Sequence, residues 1–395
     1  MTMTDSTKTP PALWALALGA FAIGMTEFSA IGVLNQVAAD FTVSHAQAGW
    51  MVAAYAVGVM VGSPILTWLG LRLSRKTLLI LSMALFTLGN ALTTLSPWFS
   101  LMLVGRIVTS FSHGVFFGLG SVVGAELAGA HRRAAAVAFM FSGLTVANLV
   151  GVPLGAWVGD VLSWRVTYGF ITVVGLGVML ALARLVPTLP TPAPTSLSDE
   201  LRTLANPRIV TALAMTLLGF GGVFAAITYL APMLTEVSGV ANRHVTWFMV
   251  VLGLGMMVGN HFGGKWADRH LIASLVTELV LLTLSLVAFG FVLENVWLTA
   301  LLLFTIGALG FATVAPLQTV TMKEAHTSPT LASVMNIGAF NLGNALAAWL
   351  GGLAIESSWG LPAAPWVGAV MSTVALGLTL FLAQKRQPVE TPSMA

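Results

Sequence analysis

Between Pro10 and Ala39 the chain carries one charged side chain, Glu27. An apolar run of that length spans the roughly 30 Å hydrocarbon core of a bilayer, and because lipid offers backbone N–H and C=O groups no partner, it must cross as a helix. Comparable runs recur along the whole chain, near 12–34, 46–70, 77–96, 99–128, 133–159, 165–185, 208–234, 244–268, 273–292, 296–322, 331–354 and 362–384. The pattern predicts an all-α membrane protein with twelve transmembrane helices. Composition agrees: 57% of the 395 residues are hydrophobic and 8% are charged, too little polar surface to keep such a chain in water. The first run is longer than the core of a secretory signal and lacks a clear small-residue cleavage site, so a retained span with a cytoplasmic start is expected. With no cysteine, disulfides, thiolate metal sites and thiol nucleophiles are excluded.

Loops numbered from a cytoplasmic start place Lys8; Arg72, Arg75 and Lys76; Arg132 and Arg133; Arg184, Arg202 and Arg208; Lys265 and Arg269; Lys323; and Lys385 and Arg386 on the inner side, 14 of the 17 basic residues. Arg165 and Arg243 fall on the outer side, and Arg106 falls inside a span. This positive-inside bias predicts that both termini face the cytoplasm. Trp98, Trp164, Trp297 and Trp359 near outer ends, with Trp68 and Trp266 near inner ends, are expected in interfacial belts.

The longest inner connection, beginning Val186-Pro-Thr-Leu-Pro-Thr-Pro-Ala-Pro-Thr and running to Pro207, lies near the midpoint, and its prolines make it an extended linker. Leu69-Gly-Leu-Arg72 after the second helix and Trp266-Ala-Asp-Arg269 after the eighth are offset by 197 residues, close to half the chain, so each half is expected to repeat one unit. Residues 1–185 then form one pseudo-symmetric six-helix half, 186–207 a cytoplasmic linker, and 208–395 the second half. Parallel repeats of this kind place a substrate path between the halves near the bilayer midplane.

Over essentially its whole length the chain resembles the Major Facilitator Superfamily. Gly264-Lys-Trp-Ala-Asp-Arg269 is similar to that family's loop signature Gly-x-Leu-Ala-Asp-Arg. In the first half, Thr67-Trp-Leu-Gly-Leu-Arg-Leu-Ser-Arg-Lys76 keeps the basic cluster but has Leu71 where the family usually has Asp. The resemblance implies that Arg72, Arg75, Lys76, Asp268 and Arg269 bias which conformation is closed, since a carboxylate at a helix N-terminus and a base at a C-terminus are both favourable; a topological role alone is the alternative. In the fifth helix Gly143-Leu-Thr-Val-Ala-Asn-Leu-Val-Gly-Val-Pro-Leu-Gly-Ala-Trp-Val-Gly159 resembles the Gly/Pro motif of antiporters. Asn148, Gly151, Pro153 and Gly155 are the expected conformational residues, because small residues permit close contact and Pro153 removes a backbone donor. Ordinary small-residue packing is the other reading. The eleventh helix, Asn341-Leu-Gly-Asn-Ala-Leu-Ala-Ala-Trp-Leu-Gly351, lacks the proline.

The fourth helix carries Arg106-Ile-Val-Thr-Ser-Phe-Ser-His-Gly114, which resembles the family's membrane-embedded arginine motif. An arginine keeps its proton, so inside a span it needs an anion or a watery cavity. Counted from helix ends at 34 and 99, Glu27 and Arg106 each lie about 10 Å deep and are expected to meet, while His113 lies about 10 Å deeper on the face of Arg106. Glu27 is thus expected to couple protons, being protonated in one access state and paired with Arg106 or a cationic substrate in the other. A permanent structural pair is the alternative, and His113 is either a second proton group or a packing residue. Glu126 and Glu278, placed near inner ends, are read as structural residues reaching water or bases.

Glu27, Phe28, Tyr55, Phe116, Phe117, Phe224, Asn336 and Phe340 are candidates for lining a substrate cavity. No metal-ligand cluster, nucleophile elbow or phosphate-binding glycine loop is present, which argues against an enzyme. No basic, stacking surface outside the membrane suggests nucleic acid. Thr-Glu-Phe in the first helix and His-Gly-Val-Phe-Phe in the fourth bring the resemblance closest to drug:proton antiporters and sugar-efflux (arabinose-efflux-permease) members. It implies a monomeric exporter in a bacterial inner membrane, needing no cofactor or metal, that exchanges protons for a drug-like amphiphile or sugar-like solute by alternating access. An uncoupled facilitator or importer of a sugar or nucleoside is the alternative.

Overall fold

A computed structural model describes residues 9–43, 45–48, 50–70, 73–189, 205–241, 244–325 and 329–384. Arg72, Arg243 and most of the proline-rich linker lie outside these residues. The described chain is helical throughout, and twelve helices match the twelve apolar runs. These are α1 (Pro11–Gly32), α2 (Trp50–Leu69), α3 (Arg75–Leu95), α4 (Phe99–Ala128), α5 (Arg133–Val146, continued to Val161), α6 (Trp164–Leu185), α7 (Pro207–Thr228), α8 and α9 (245–269 and 271–292), α10 (Val296–Ala312, continued as Val314–Glu324), α11 (Pro329–Ile355) and α12 (Ala363–Gln384). One break separates α8 from α9, where His270 takes the non-helical angles φ −142°, ψ 66°.

Local chemistry sets many of these ends. Ser74 and Ser163 accept from the backbone N–H groups of Thr77 and Arg165, at 3.1 and 3.2 Å, and start α3 and α6. Asn206 does the same for α7, just ahead of Pro207, and Asn295 takes two N–H groups of α10. Within the helices, serine and threonine hydroxyls mostly donate to carbonyls three or four residues back, as Thr109 does to Gly105 at 2.8 Å, so few polar atoms face the apolar interior unpaired.

Close packing rests on glycines spaced by helical turns. A Cβ at Gly255, Gly259 or Gly263 of α8 would lie 2.1, 1.7 and 2.4 Å from backbone oxygens of α10, so the two helices touch backbone to backbone. In the first six helices Gly58 and Gly62 of α2 leave room for the side chains of Ser110 and Phe111 of α4. Gly143 of α5 seats on Ala17 of α1, and Gly343 of α11 seats on Leu217 of α7. The pairings α2–α4 and α1–α5 thus recur as α8–α10 and α7–α11. Gly151 and Gly155 belong to this packing, facing Met25 and Ser29 of α1, rather than to a seam between the first and last six helices.

The seam between those groups lies toward the end of the bundle that carries the linker. Asp268, at the end of α8, accepts from the N–H groups of Ala134 and Ala135 at 2.7 and 2.9 Å, closing the N-terminus of α5 with a carboxylate from the other group. Asn260 donates to Ala138 O at 2.7 Å, and Gly264 leaves room for Ala134 and Ala138. Ser333 of α11 donates to Gly118 O of α4 at 2.7 Å. The α5–α8 contact continues to Leu149 against Gly253, about half the helix length. Leu149 sits in a π turn, Ala147–Gly151, just before Pro153; Pro153 has no N–H to give, and the wider turn absorbs the missing bond.

Corrections to the sequence-based expectations concern ends and belts. α1 runs on past Val33 as a further helix, Leu34–Phe41, seven residues beyond the expected end. Trp164 is buried and donates to Asp40 at 3.3 Å, so it is a packing residue, while Trp98, Trp297 and Trp359 are exposed. Glu126 does reach a nearby base, as expected, pairing with Arg75. Glu278 does not reach water or a base: it is 1% exposed, and neither carboxylate oxygen has a hydrogen-bond partner among the described residues.

Two outcomes follow from this packing. Gly143→Ala should lower the melting stability of detergent-purified protein by about 1–3 kcal/mol through overpacking, whereas Gly177→Ala, where a Cβ meets nothing within 4 Å, should be neutral or stabilising by up to about 1 kcal/mol. Asp268→Asn removes a charge-assisted acceptor worth about 2 kcal/mol, so amide hydrogen exchange at the start of α5 should quicken by roughly thirtyfold; unchanged exchange would mean the carboxylate does not hold that helix end.

Candidate functional site

Four helices of the first group converge on the charged residues of the span interior. Glu27 lies on α1, sixteen residues from Pro11 and fourteen from Phe41. His113 lies fourteen residues into α4 from Phe99. At 1.5 Å per residue both are about 21 Å from the far end, near mid-membrane. They meet: Glu27 Oε2 is 3.8 Å from His113 Nδ1, and that nitrogen is 3.1 Å from the Tyr55 hydroxyl of α2. Only one of the partners is open, since the Glu27 side chain is 20% exposed and that of His113 6%.

Arg106 takes another course. Its Nε donates to Met51 O at 3.2 Å, and its Nη1 donates to Thr26 O at 2.7 Å and to Thr26 Oγ1 at 3.3 Å. The guanidinium lies 4.4 Å from the ring centre of Tyr55 and 5.7 Å from that of Tyr168 on α6, a cation–π setting for a side chain only 1% exposed. Nη2 has no hydrogen-bond partner among the described residues. The expected Glu27–Arg106 pair is therefore not formed here, and His113, expected a layer deeper, is the neighbour of Glu27. The longer α1, with an outer end at Phe41 instead of residue 34, carries Glu27 down two turns to the level of His113, and Arg106, reaching to that depth, takes the neighbouring Thr26 instead.

Tyr55 joins this cluster as expected, though as a partner of His113 and Arg106, buried to 3%. Phe28 is half-buried beside Glu27. Phe116 and Phe117, expected at a cavity, are buried in the first group's core; Phe116 fills the space left by Gly19, and Phe117 stacks on Phe141 at 4.9 Å and backs His113 at 5.0 Å. In the last six helices Phe224 and Phe340 both meet Phe220, at 5.5 and 4.9 Å, and Phe311 of α10, not singled out from the sequence, completes the cluster at 5.5 Å.

Asn336 is also displaced from its expected role. It donates to Gln318 Oε1 at 2.5 Å and accepts from Thr321 at 3.0 Å; Gln318 donates in turn to Ser333, which holds Gly118 O of α4. Asn336 thus belongs to a buried polar knot in the seam, together with Gln318 and Ser333, for which the sequence offered no charge or motif as a flag. The seam begins next to the site: a Cβ on Gly114, the neighbour of His113, would lie 3.7 Å from Val334, and one on Gly118 would overlap it. Among the conformational candidates, Asp268 bridges the two groups, Arg75 pairs with Glu126 within the first, Lys76 is half-buried and Arg269 is exposed. The result is one carboxylate at mid-depth, one-fifth exposed, just beyond a closed seam.

The model of the Major Facilitator Superfamily matches residues 16–340. The inner membrane transport protein YdhP of Escherichia coli K12 is 43% identical over 378 residues, covering 95% of this chain and 96% of its own. The putative transporter AraJ of the same organism is 34% identical over 387 residues, covering 96% and 98%. A crystal structure of the E. coli fucose:proton symporter FucP superposes with a TM-score of 0.78 at 16% identity, covering 94% of this chain and 98% of that one, which shows the fold. The chain belongs to the Major Facilitator Superfamily and is a multi-pass membrane transporter, not an enzyme.

Proposed function

We propose that the protein is a proton-coupled antiporter that exports a small molecule across a bacterial inner membrane. The observation that carries this reading is the placement of Glu27: a carboxylate at mid-membrane, one-fifth exposed, beside a histidine and a tyrosine and immediately beyond a closed seam. A buried acid alternately open to two sides can carry a proton inward and return without it as the substrate leaves, and intramembrane acids are costly enough to be retained for function. The 14 of 17 basic residues assigned to the linker side support a cytoplasmic linker and cytoplasmic termini, which makes the seam the inner gate. YdhP, by its name an inner membrane protein, supports the location.

Transport then alternates between this state and one in which the seam parts and the far end closes. The contacts of Asp268 with the start of α5 and of Ser333 with Gly118 of α4 must break. Arg106, held on two backbone carbonyls, keeps Nη2 free for Glu27 when the acid releases its proton. The Phe220–Phe224–Phe311–Phe340 cluster, of which Phe224 alone is not fully buried, favours a lipophilic amphiphile over a sugar-like solute. The chain works as a monomer and uses the proton gradient with no cofactor.

Purified protein in liposomes holding a pH gradient tests this directly. A substrate amphiphile should collapse the gradient through the wild type and not through Glu27→Gln, which should still exchange labelled substrate. If compounds cross without moving protons, the protein is a facilitator and Glu27 is a structural residue.

A further inference from the structure

We infer that Asn90, on α3, is a positioning residue that sets the guanidinium of Arg106 through the hydroxyl of Thr26; its consequence for coupling rests on the proton-antiport reading above. Asn90 is fully buried on a helix that contributes no charged residue to the site. Its Nδ2 donates to Phe86 O at 2.8 Å, which fixes the amide so that Oδ1 points to α1. There Oδ1 accepts the hydroxyl proton of Thr26 at 2.5 Å. A hydroxyl has one proton to give, so with that proton committed to Asn90 the Thr26 oxygen presents only lone pairs to Nη1 of Arg106, 3.3 Å away. Nη1 also holds Thr26 O at 2.7 Å, and Nε holds Met51 O.

The chain of bonds Phe86–Asn90–Thr26–Arg106 thus runs from a peripheral helix to the one buried arginine of the described spans and leaves Nη2 as its nitrogen without a partner. Without Asn90, the Thr26 hydroxyl has lost its acceptor, and rotating to reach another one carries its lone pairs away from the guanidinium. The arginine then loses one of the contacts that keep it off Glu27. The titratable and charged groups around this cluster are Glu27 from α1, Tyr55 from α2, His113 from the helix of Arg106 itself and Tyr168 from α6. Among the described side chains, α3 faces it with Asn90 and Thr93, α5 packs on α1 with Gly151 and Gly155, and α11 reaches α4 with Ser333 and Val334, none of them charged.

The test pairs Asn90→Leu with Thr26→Val, separately and together, and uses Thr26→Ser as the conservative control. Melting of the purified proteins in detergent requires no transport and reads the chain alone: the double variant should be no worse than the weaker single, because both break one chain of bonds. In proteoliposomes each single variant should change proton-coupled exchange at neutral pH by about tenfold, the factor carried by one hydrogen bond to a charged group, and move the acid limb of the exchange profile to lower pH, whereas Thr26→Ser should match the wild type. Additive melting shifts, or folded variants with the wild-type pH profile, overturn the positioning role. If the melting cycle is coupled but the wild type moves no protons, the chain stands as the means of placing Arg106 and only the antiport reading falls.

Discussion

An arginine that cannot lose its proton must find acceptors wherever it is buried, and the first six helices are arranged to supply them. Arg106 draws carbonyl groups from α1 and α2, aromatic faces from α2 and α6, and, through Thr26, an amide from α3. Five helices are therefore tied to one cation at a depth where water is scarce. This arrangement sets the separation of α1 and α4 and so brings Glu27 to His113 rather than to Arg106 itself.

The second constraint is the seam. Backbone-to-backbone contacts at glycines make each six-helix group a stiff body, since neither side of such a contact can yield by rotating a side chain. Motion is left to the boundary between the groups, where polar contacts join the close glycine ones: a carboxylate on two N–H groups, an asparagine on a carbonyl and a serine on a carbonyl. Polar contacts of this sort break and reform with little net change when water enters to replace them. Because α4 carries Arg106, His113 and the seam glycines 114 and 118 on one helix, a displacement of the charged cluster is mechanically linked to the seam.

Much of the fold was legible in the sequence because the bilayer admits few alternatives: twelve apolar runs became twelve helices, with most ends within a few residues. Asp268 stood out too, as an acid in a recognisable loop, and it reaches the start of α5. The site was less so. Depth was counted from an assumed end of α1, and the amphipathic continuation Leu34–Phe41, whose polar residues read as the start of a loop, moved Glu27 by two turns. Phe116 and Asn336 were singled out by residue type alone, and which face of a helix meets its own group or the other is decided by glycine contacts that hydropathy does not record. Asn90 and Gln318 carry no charge and stand in no motif, so only geometry discloses them.

On the proposed antiport reading, the charge of Glu27 governs whether the seam is closed. The chain has no cysteine, so spin labels can be placed at will, and exposed His131 and Lys265 flank the seam from opposite groups. The direct measurement is the label-to-label distance distribution between His131→Cys and Lys265→Cys, taken from acid to alkaline pH in lipid nanodiscs, with and without Glu27→Gln. Two populations should exchange weight with pH in the parent, and a single pH-independent balance should hold in the Glu27→Gln protein. Survival of the pH-dependent exchange without that carboxylate would contradict that reading.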